Sequence, residues 1–327
     1  MAFHRFLFLA LICSACSSGG GGSTPADPVP VASPPPPPPP PVSSALESET
    51  DIVYGSGLVT NSSIDLQLDI YQPSAPCTAP RPFVIGIHGG GFTGGSKSDG
   101  NWIASMEAVT QRGFAGLSID YRLVRDAPLV SAEFQPLLDD LLDLATQLNL
   151  DARQRDQLNA AVAAFEDTVS AIEWARDNAT ARCLDPDKFA LWGSSAGAIT
   201  ALHVTYALDD YFIDRPDPLV VVDYWGSLFL DDLVSADGPP LMIVHGTDDT
   251  TQVYEDTAIP LATEAETVGL PYTFYTVENG PHGFGSVDPN RVQINGDAPV
   301  DVTLDFIEAH LTDGTPLYEV QTVVRTN

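Results

Sequence analysis

Lysine is almost missing from this 327-residue chain, which carries it only at Lys97 and Lys188. Lysine and arginine together number 14 against 44 acidic residues, a formal charge of −30. A protein that grips nucleic acid through its phosphates needs basic patches, so that class of partner is excluded. Charge of this size bears on solubility rather than on fold. Cysteine is scarce too, four in all. No His/Cys/carboxylate group has the spacing of a zinc site, and scattered acids do not make a calcium loop, so neither metal nor organic cofactor is expected. No apolar run reaches the ~20 residues that a membrane-spanning helix requires.

The longest such run is near the start, Phe6-Leu7-Phe8-Leu9-Ala10-Leu11-Ile12, behind His4 and Arg5. A short positive start, an apolar stretch and small residues are the anatomy of an export signal. Cys13-Ser14-Ala15-Cys16-Ser17-Ser18 resembles the bacterial lipoprotein box, which implies cleavage of residues 1–15, acylation of Cys16 and an outer-membrane location facing periplasm or exterior. An ordinary cleaved secretion signal is the alternative. Residues 16–48 read as a linker: Gly/Ser first, then eight prolines from Pro34 to Pro41, an extended spacer of roughly 25 Å at ~3.1 Å per residue. Cys77 and Cys183 are then left, and an exported protein can join them in a disulfide or leave two thiols.

Residues 49–312 have the composition of one globular domain, with 313–327 as a tail. Ile64–Tyr71 alternates apolar and polar as a half-exposed strand does. Phe83–Ile87, Phe114–Ile119, Phe189–Trp192, Val220–Val222, Leu241–Val244 and Tyr272–Thr276 are short apolar runs suited to strands buried on both faces. Helical stretches fall between them at Trp102–Gln111, Ala164–Asn178, Ala196–Ala207, Ile259–Thr267 and Val302–His310. This alternation predicts an α/β fold, a mostly parallel sheet with helices on both faces and reactive residues in loops at the strands' carboxyl ends. Residues 126–163 break the rhythm. With Leu137, Leu141, Leu144 and Leu148 at helical spacing, they form a helical insertion, either packed on the domain or lying over the site as a lid.

Gly193-Ser194-Ser195-Ala196-Gly197 fits G-x-S-x-G, with a buried strand before it and a helix after. Such a sharp turn holds the serine in a strained conformation with its Oγ clear of the sheet, which makes Ser195 the candidate nucleophile. Ser194 lacks the symmetric glycine spacing and receives no chemistry. His88-Gly89-Gly90-Gly91-Phe92 follows the Phe83–Ile87 strand. Its consecutive glycines leave backbone N–H groups bare, so Gly90 and Gly91, with Ala196 after the serine, are the candidate oxyanion donors. Of the six histidines, only His282 lies in a turn-rich loop after the last candidate strand, and it is the candidate base. The acid that orients it is expected in His245-Gly246-Thr247-Asp248-Asp249, where two adjacent aspartates compete.

Together these segments and Pro281-His282-Gly283-Phe284 resemble α/β-hydrolase esterases of the carboxylesterase and hormone-sensitive-lipase-like groups. Asp120-Tyr121-Arg122-Leu123 is similar to a segment those enzymes carry after the strand that follows the oxyanion loop. The resemblance covers about Ile52 to His310 and implies the α/β-hydrolase fold. Its acid loop, H-G-T-x-D, puts the acid on Asp249. It departs at Ser194, where relatives often carry a carboxylate. It further implies hydrolysis of short-acyl esters, small or polymer-linked, through an acyl-enzyme on Ser195. A serine peptidase of the same fold and a non-catalytic binding lipoprotein are the alternatives. The sequence does not indicate an oligomeric state.

Overall fold

A computed structural model describes residues 46–230, 233–284, 292–312 and 314–324. The expected export signal, Cys16 and almost all of the expected linker lie outside these residues. Nine strands are present among the described residues: β1 (Leu46–Val59), β2 (Ser62–Pro73), β3 (Arg81–Ile87), β4 (Ala115–Ile119), β5 (Leu184–Ser194), β6 (Val220–Tyr224), β7 (Leu241–Gly246), β8 (Tyr272–Glu278) and β9 (Val320–Val324). Between them run α1 (Gly100–Gln111), α2 (Gln135–Gln147), α3 (Ala152–Asp177), the single-turn α4 (Ala179–Arg182), α5 (Ala196–Tyr206), α6 (Ala258–Val268) and α7 (Pro299–Leu311).

The strands form one sheet in the order β1-β2-β4-β3-β5-β6-β7-β8-β9. β1 and β2 are antiparallel to their neighbours, and every pairing from β4–β3 onward is parallel. The continuous apolar runs are explained by burial on both sides. Phe83, Ile85 and Ile87 of β3 point into one core with Leu191 of β5 and Phe165 of α3, whereas Val84 points into the other with Trp192, Met106 and Val222. Side chains that alternate across a strand thus fill two apolar layers, which is why neither face reads as polar.

Two boundaries differ from the sequence reading. The domain was expected to begin at 49, but β1 starts at Leu46 and pairs with β2 from Leu46↔Pro73 onward. Its alternation is interrupted by register shifts between Glu49 and Ile52 and between Val53 and Gly55, so no single period runs through it. The expected tail, 313–327, contains β9, which pairs parallel to β8 with Val320 opposite Phe274.

Within 126–163, α2 turns Leu137, Leu138, Leu141 and Ala145 inward, whereas Leu148 is exposed. The helix expected from Ala164 begins twelve residues earlier, because Asp151 caps it: its carboxylate accepts from the Gln154 N–H at 2.9 Å while the Gln154 side chain returns to the Asp151 N–H at 2.9 Å. The insertion packs on the core through α2, and the start of α3 lines the cavity described below.

The few cations hold this arrangement internally. Arg122 is 1 % exposed and donates to Asp167 at 2.9 Å, to Glu166 at 2.7 Å and to the Leu58 and Leu129 carbonyls. It thereby ties the insertion and α3 to β1. Lys97, also buried, lies 2.8 Å from both Asp51 and Asp69. Cys77 and Cys183 form a disulfide across 106 residues, linking the loops that enter β3 and β5. Arg122→Met leaves two carboxylates facing apolar surroundings and should lower unfolding stability by about 3–5 kcal/mol. A urea titration checks this; a change below about 1 kcal/mol would mean that the pair contributes only packing.

Candidate active site

The turn between β5 and α5 is dictated by two glycines. A β-carbon on Gly193 would overlap the Gly197 carbonyl, and one on Gly197 would overlap the Ile87 carbonyl at the end of β3. With both side chains absent, strand, helix and neighbouring strand close on one another, and Ser195 is forced to φ 52°, ψ −120°. Few non-glycine residues occupy positive φ, so this is local strain tied down by its surroundings, including the Ser195 N–H bond to the Tyr224 carbonyl at 2.8 Å.

Ser195 Oγ lies 2.9 Å from Nε2 of His282, and Nδ1 of the same ring lies 2.7 Å from Oδ2 of Asp249. The three candidates from three separate loops therefore meet in a single chain of hydrogen bonds. Asp249 is 3 % exposed, and its Oδ1 accepts from the Thr251 and Gln252 N–H groups at 2.8 and 2.9 Å. Asp248 is exposed and instead uses its N–H on the Gly280 carbonyl at 3.0 Å. The acid and base loops touch directly: a β-carbon on Gly246 would overlap the Gly280 carbonyl, so glycine there lets the two loops come together.

The glycine loop after β3 stands opposite. Gly90 and Gly91 have φ of 122° and 60°, and both border the same cavity as Ser195, Ala196 and His282. Ala196 is the first residue of α5, where a helix leaves its N–H groups without intrahelical acceptors. His88 underpins the loop. Its Nδ1–H donates to the Gly89 carbonyl at 2.7 Å, its ring stacks on Tyr121 at 4.3 Å, and the Tyr121 hydroxyl donates to the His88 carbonyl at 2.8 Å. Burial pushes the His88 pKa below the usual histidine range, which suits a neutral, structural ring. Gln157 of α3 donates to the Gly91 carbonyl at 2.9 Å, so the insertion takes part in fixing this loop.

A family model described as alpha/beta hydrolase fold matches residues 158–222, and one described as BD-FAE matches residues 68–154. Among solved structures, a truncated carbohydrate esterase from gut microbiota covers 83 % of this chain and 99 % of its own, with a TM-score of 0.56 at 19 % identity. A native thermophilic esterase from Thermogutta terrifontis covers 82 % and 94 %, with a TM-score of 0.57 at 21 % identity. Secreted lipase 5 of Gibberella zeae is 29 % identical over 161 residues, 48 % of this chain and 25 % of the lipase. The matched stretches span a quarter or less of the length of the curated relatives. The chain has the α/β-hydrolase fold.

Within this hydrolase fold, His245 is the site residue that sequence reasoning passed over as the end of a strand. It is fully buried; its Nε2–H donates to the Gln252 carbonyl at 2.8 Å and lies 3.3 Å from Oδ2 of Asp249. Asp249 Oδ2 is therefore flanked by two imidazoles. Burial lowers the His245 pKa, so that ring stays neutral beside His282. The signal was the four-residue spacing of His245 and Asp249 around one turn. Two cavities border Ser194, Gly89, Gly90 and Trp225: one of about 700 Å³ containing Ser195 and His282, the other of about 440 Å³ walled by Trp102, Trp192 and Tyr224. Ser194, given no chemistry above, is thus part of both walls. No cluster of three or more His, Cys, Asp or Glu able to hold a metal occurs among the described residues.

Asp223 supports the Trp225 side of these cavities. Its Oδ1 accepts from the Gly226 N–H at 2.6 Å, its Oδ2 has no partner, and burial pushes its pKa up to about 7. A carboxyl that titrates near 4 when unfolded and near 7 when folded binds its proton more tightly in the folded chain. Its contribution to stability is therefore fully present below about pH 4 and is lost as pH rises toward 7. Asp223→Asn, which cannot ionise, should gain on the wild type across that interval by roughly 1 kcal/mol per pH unit. Denaturation midpoints at pH 4.5, 6 and 8 provide the check; a constant difference would show that Asp223 does not titrate there.

Proposed function

We propose that this protein is a serine ester hydrolase that works through an acyl-enzyme on Ser195. The observation that carries the reading is the Ser195–His282–Asp249 hydrogen-bond chain, with steps of 2.9 and 2.7 Å, facing the bare glycine loop. His282 Nε2 takes the Ser195 proton as Oγ attacks the ester carbonyl, and the electron pair of the C=O bond moves onto oxygen. The N–H groups of Gly90, Gly91 and Ala196 are assigned to that oxyanion, where each donor is worth about 3–4 kcal/mol. His282 then gives its proton to the departing alcohol, and the same ring activates water to release the acid. Asp249 holds Nδ1–H in place and stabilises the imidazolium. The likeness to esterases and to a secreted lipase supports this reading without fixing a substrate.

We assign the acyl group to the smaller of the two cavities, walled by Trp102, Trp192 and Tyr224, and the alcohol to the larger one. On this basis short acyl chains are preferred. For localisation, the lipoprotein-like Cys16 and the proline spacer support export and lipid tethering. Radiolabelled palmitate incorporated in the wild type and lost in Cys16→Ser is the expected result; equal labelling of both would remove the anchor.

A fluorophosphonate probe should label the wild type and not Ser195→Ala. Asp249→Asn should lower kcat by ~10⁴ through the wrong imidazole tautomer, whereas Asp248→Asn stays within a few-fold of wild type. Equal labelling of Ser195→Ala would end the proposal. With p-nitrophenyl esters, acetate and butyrate should be cleaved faster than decanoate; the reverse order would put the acyl chain elsewhere.

A further inference from the structure

The larger cavity differs in charge from the molecule around it. The chain carries 44 acidic residues, yet none of the described ones lines this space, and Arg153, in the first turn of α3, is the one described cation that does. Six of the eleven described cations, Lys97, Arg112, Arg122, Arg125, Arg182 and Arg215, each lie within ion-pair distance of a carboxylate. Arg153 has no such partner among the described residues. The nearby Asp151 carboxylate is engaged at the helix N-terminus with the Gln154 N–H. Gln252, in the same lining, accepts from the Ser227 hydroxyl through Oε1 at 3.0 Å, and its amide nitrogen has no acceptor among the described residues.

An unpaired arginine, a spare amide donor and a described lining without acids form an environment for an anion. One guanidinium balances one negative charge, and its planar fork matches a carboxylate in two parallel hydrogen bonds. A dianionic phosphate would bring a second charge into a protein of net charge −30, with no second cation among the described lining residues to meet it. We propose that the preferred ester carries a carboxylate on its alcohol half and that Arg153 is the specificity residue that binds it. This rests on the serine-hydrolase reading and on the alcohol occupying the larger cavity.

The test uses full-length protein and pH-stat titration of four esters. Acetoxyacetate, anionic on the alcohol side, is compared with its neutral isostere acetoxyacetamide; monoethyl succinate, anionic on the acyl side, is compared with ethyl succinamate. In the wild type, kcat/KM should favour acetoxyacetate over acetoxyacetamide by about tenfold, as expected for one charge-assisted pair. Arg153→Gln should erase that ratio and Arg153→Glu invert it, whereas Arg176→Gln, at the exposed far end of the same helix, should leave it unchanged. Raising the ionic strength should shrink the ratio. A wild type that prefers the amide, an Arg153→Gln ratio equal to wild type, or a preference confined to the succinate pair each overturns the proposal. In those outcomes Ser195-dependent cleavage of the neutral esters would persist. Absence of all cleavage together with absence of fluorophosphonate labelling would instead mark failure of the hydrolase reading itself.

Discussion

The site depends on a contact between backbones. Gly197, in the first turn of α5, sits so close to the Ile87 carbonyl at the end of β3 that no side chain fits between them, and Gly193 meets Gly197 in the same way. These approaches bring three things together that are far apart in sequence: the end of the strand leading to the glycine loop, the end of the strand leading to Ser195, and the unsatisfied N–H end of a helix. The strain at Ser195 is a consequence of that closure. It persists because the parallel sheet on either side, from β4 to β7, is buried on both faces and leaves the turn no room to relax. A similar glycine-to-carbonyl approach, Gly246 on Gly280, brings the acid and base loops together one strand pair away. The chemistry of the side chains is thus set by places where side chains are missing.

Electrostatics follow a second economy. Two of the scarce cations, Lys97 and Arg122, lie inside the protein, where each meets two carboxylates and, for Arg122, backbone carbonyls as well. A buried ion pair gives little net stability, but removal of one partner is costly, so these clusters fix how β1, β2 and the insertion sit on the sheet. Most of the other described acids are not buried, whereas Asp223 and Asp249 are. Near Ser195 desolvation opposes charge on two buried groups, lowering the pKa of His245 and raising that of Asp223 to about 7.

Much of the fold was legible because strands buried on both faces leave continuous apolar runs, and β3 through β8 all do so. β1 and β9 were not. β1 is an edge strand with two register shifts and mostly exposed residues, so neither period nor hydrophobicity marks it. β9 reads Val-Gln-Thr-Val-Val at the opposite edge, too short and too polar to stand out from a tail. The start of α3 was hidden because its capping box at Asp151 lies within a stretch already occupied by polar residues. In the site, Ser195 and His282 were marked by local glycine and turn chemistry. Asp249 could be separated from Asp248 by likeness to a motif, since two adjacent aspartates look alike until a turn buries one and exposes the other. His245 stayed hidden for a related reason: it reads as the end of a buried strand, and its four-residue spacing from Asp249 gains meaning once the turn between them brings the two side chains together.

The disulfide adds a constraint of a different kind. It joins the entries of β3 and β5, the two strands whose opposite ends carry the glycine loop and Ser195. Strands cross-linked at one end and welded by glycine contacts at the other form a single cooperative unit. Local opening of either one alone has little conformational freedom to gain, and the amides of both are placed to exchange with solvent only when the whole sheet comes apart. Oxidation therefore makes the glycine loop and Ser195 share one fate in time as well as one position in space.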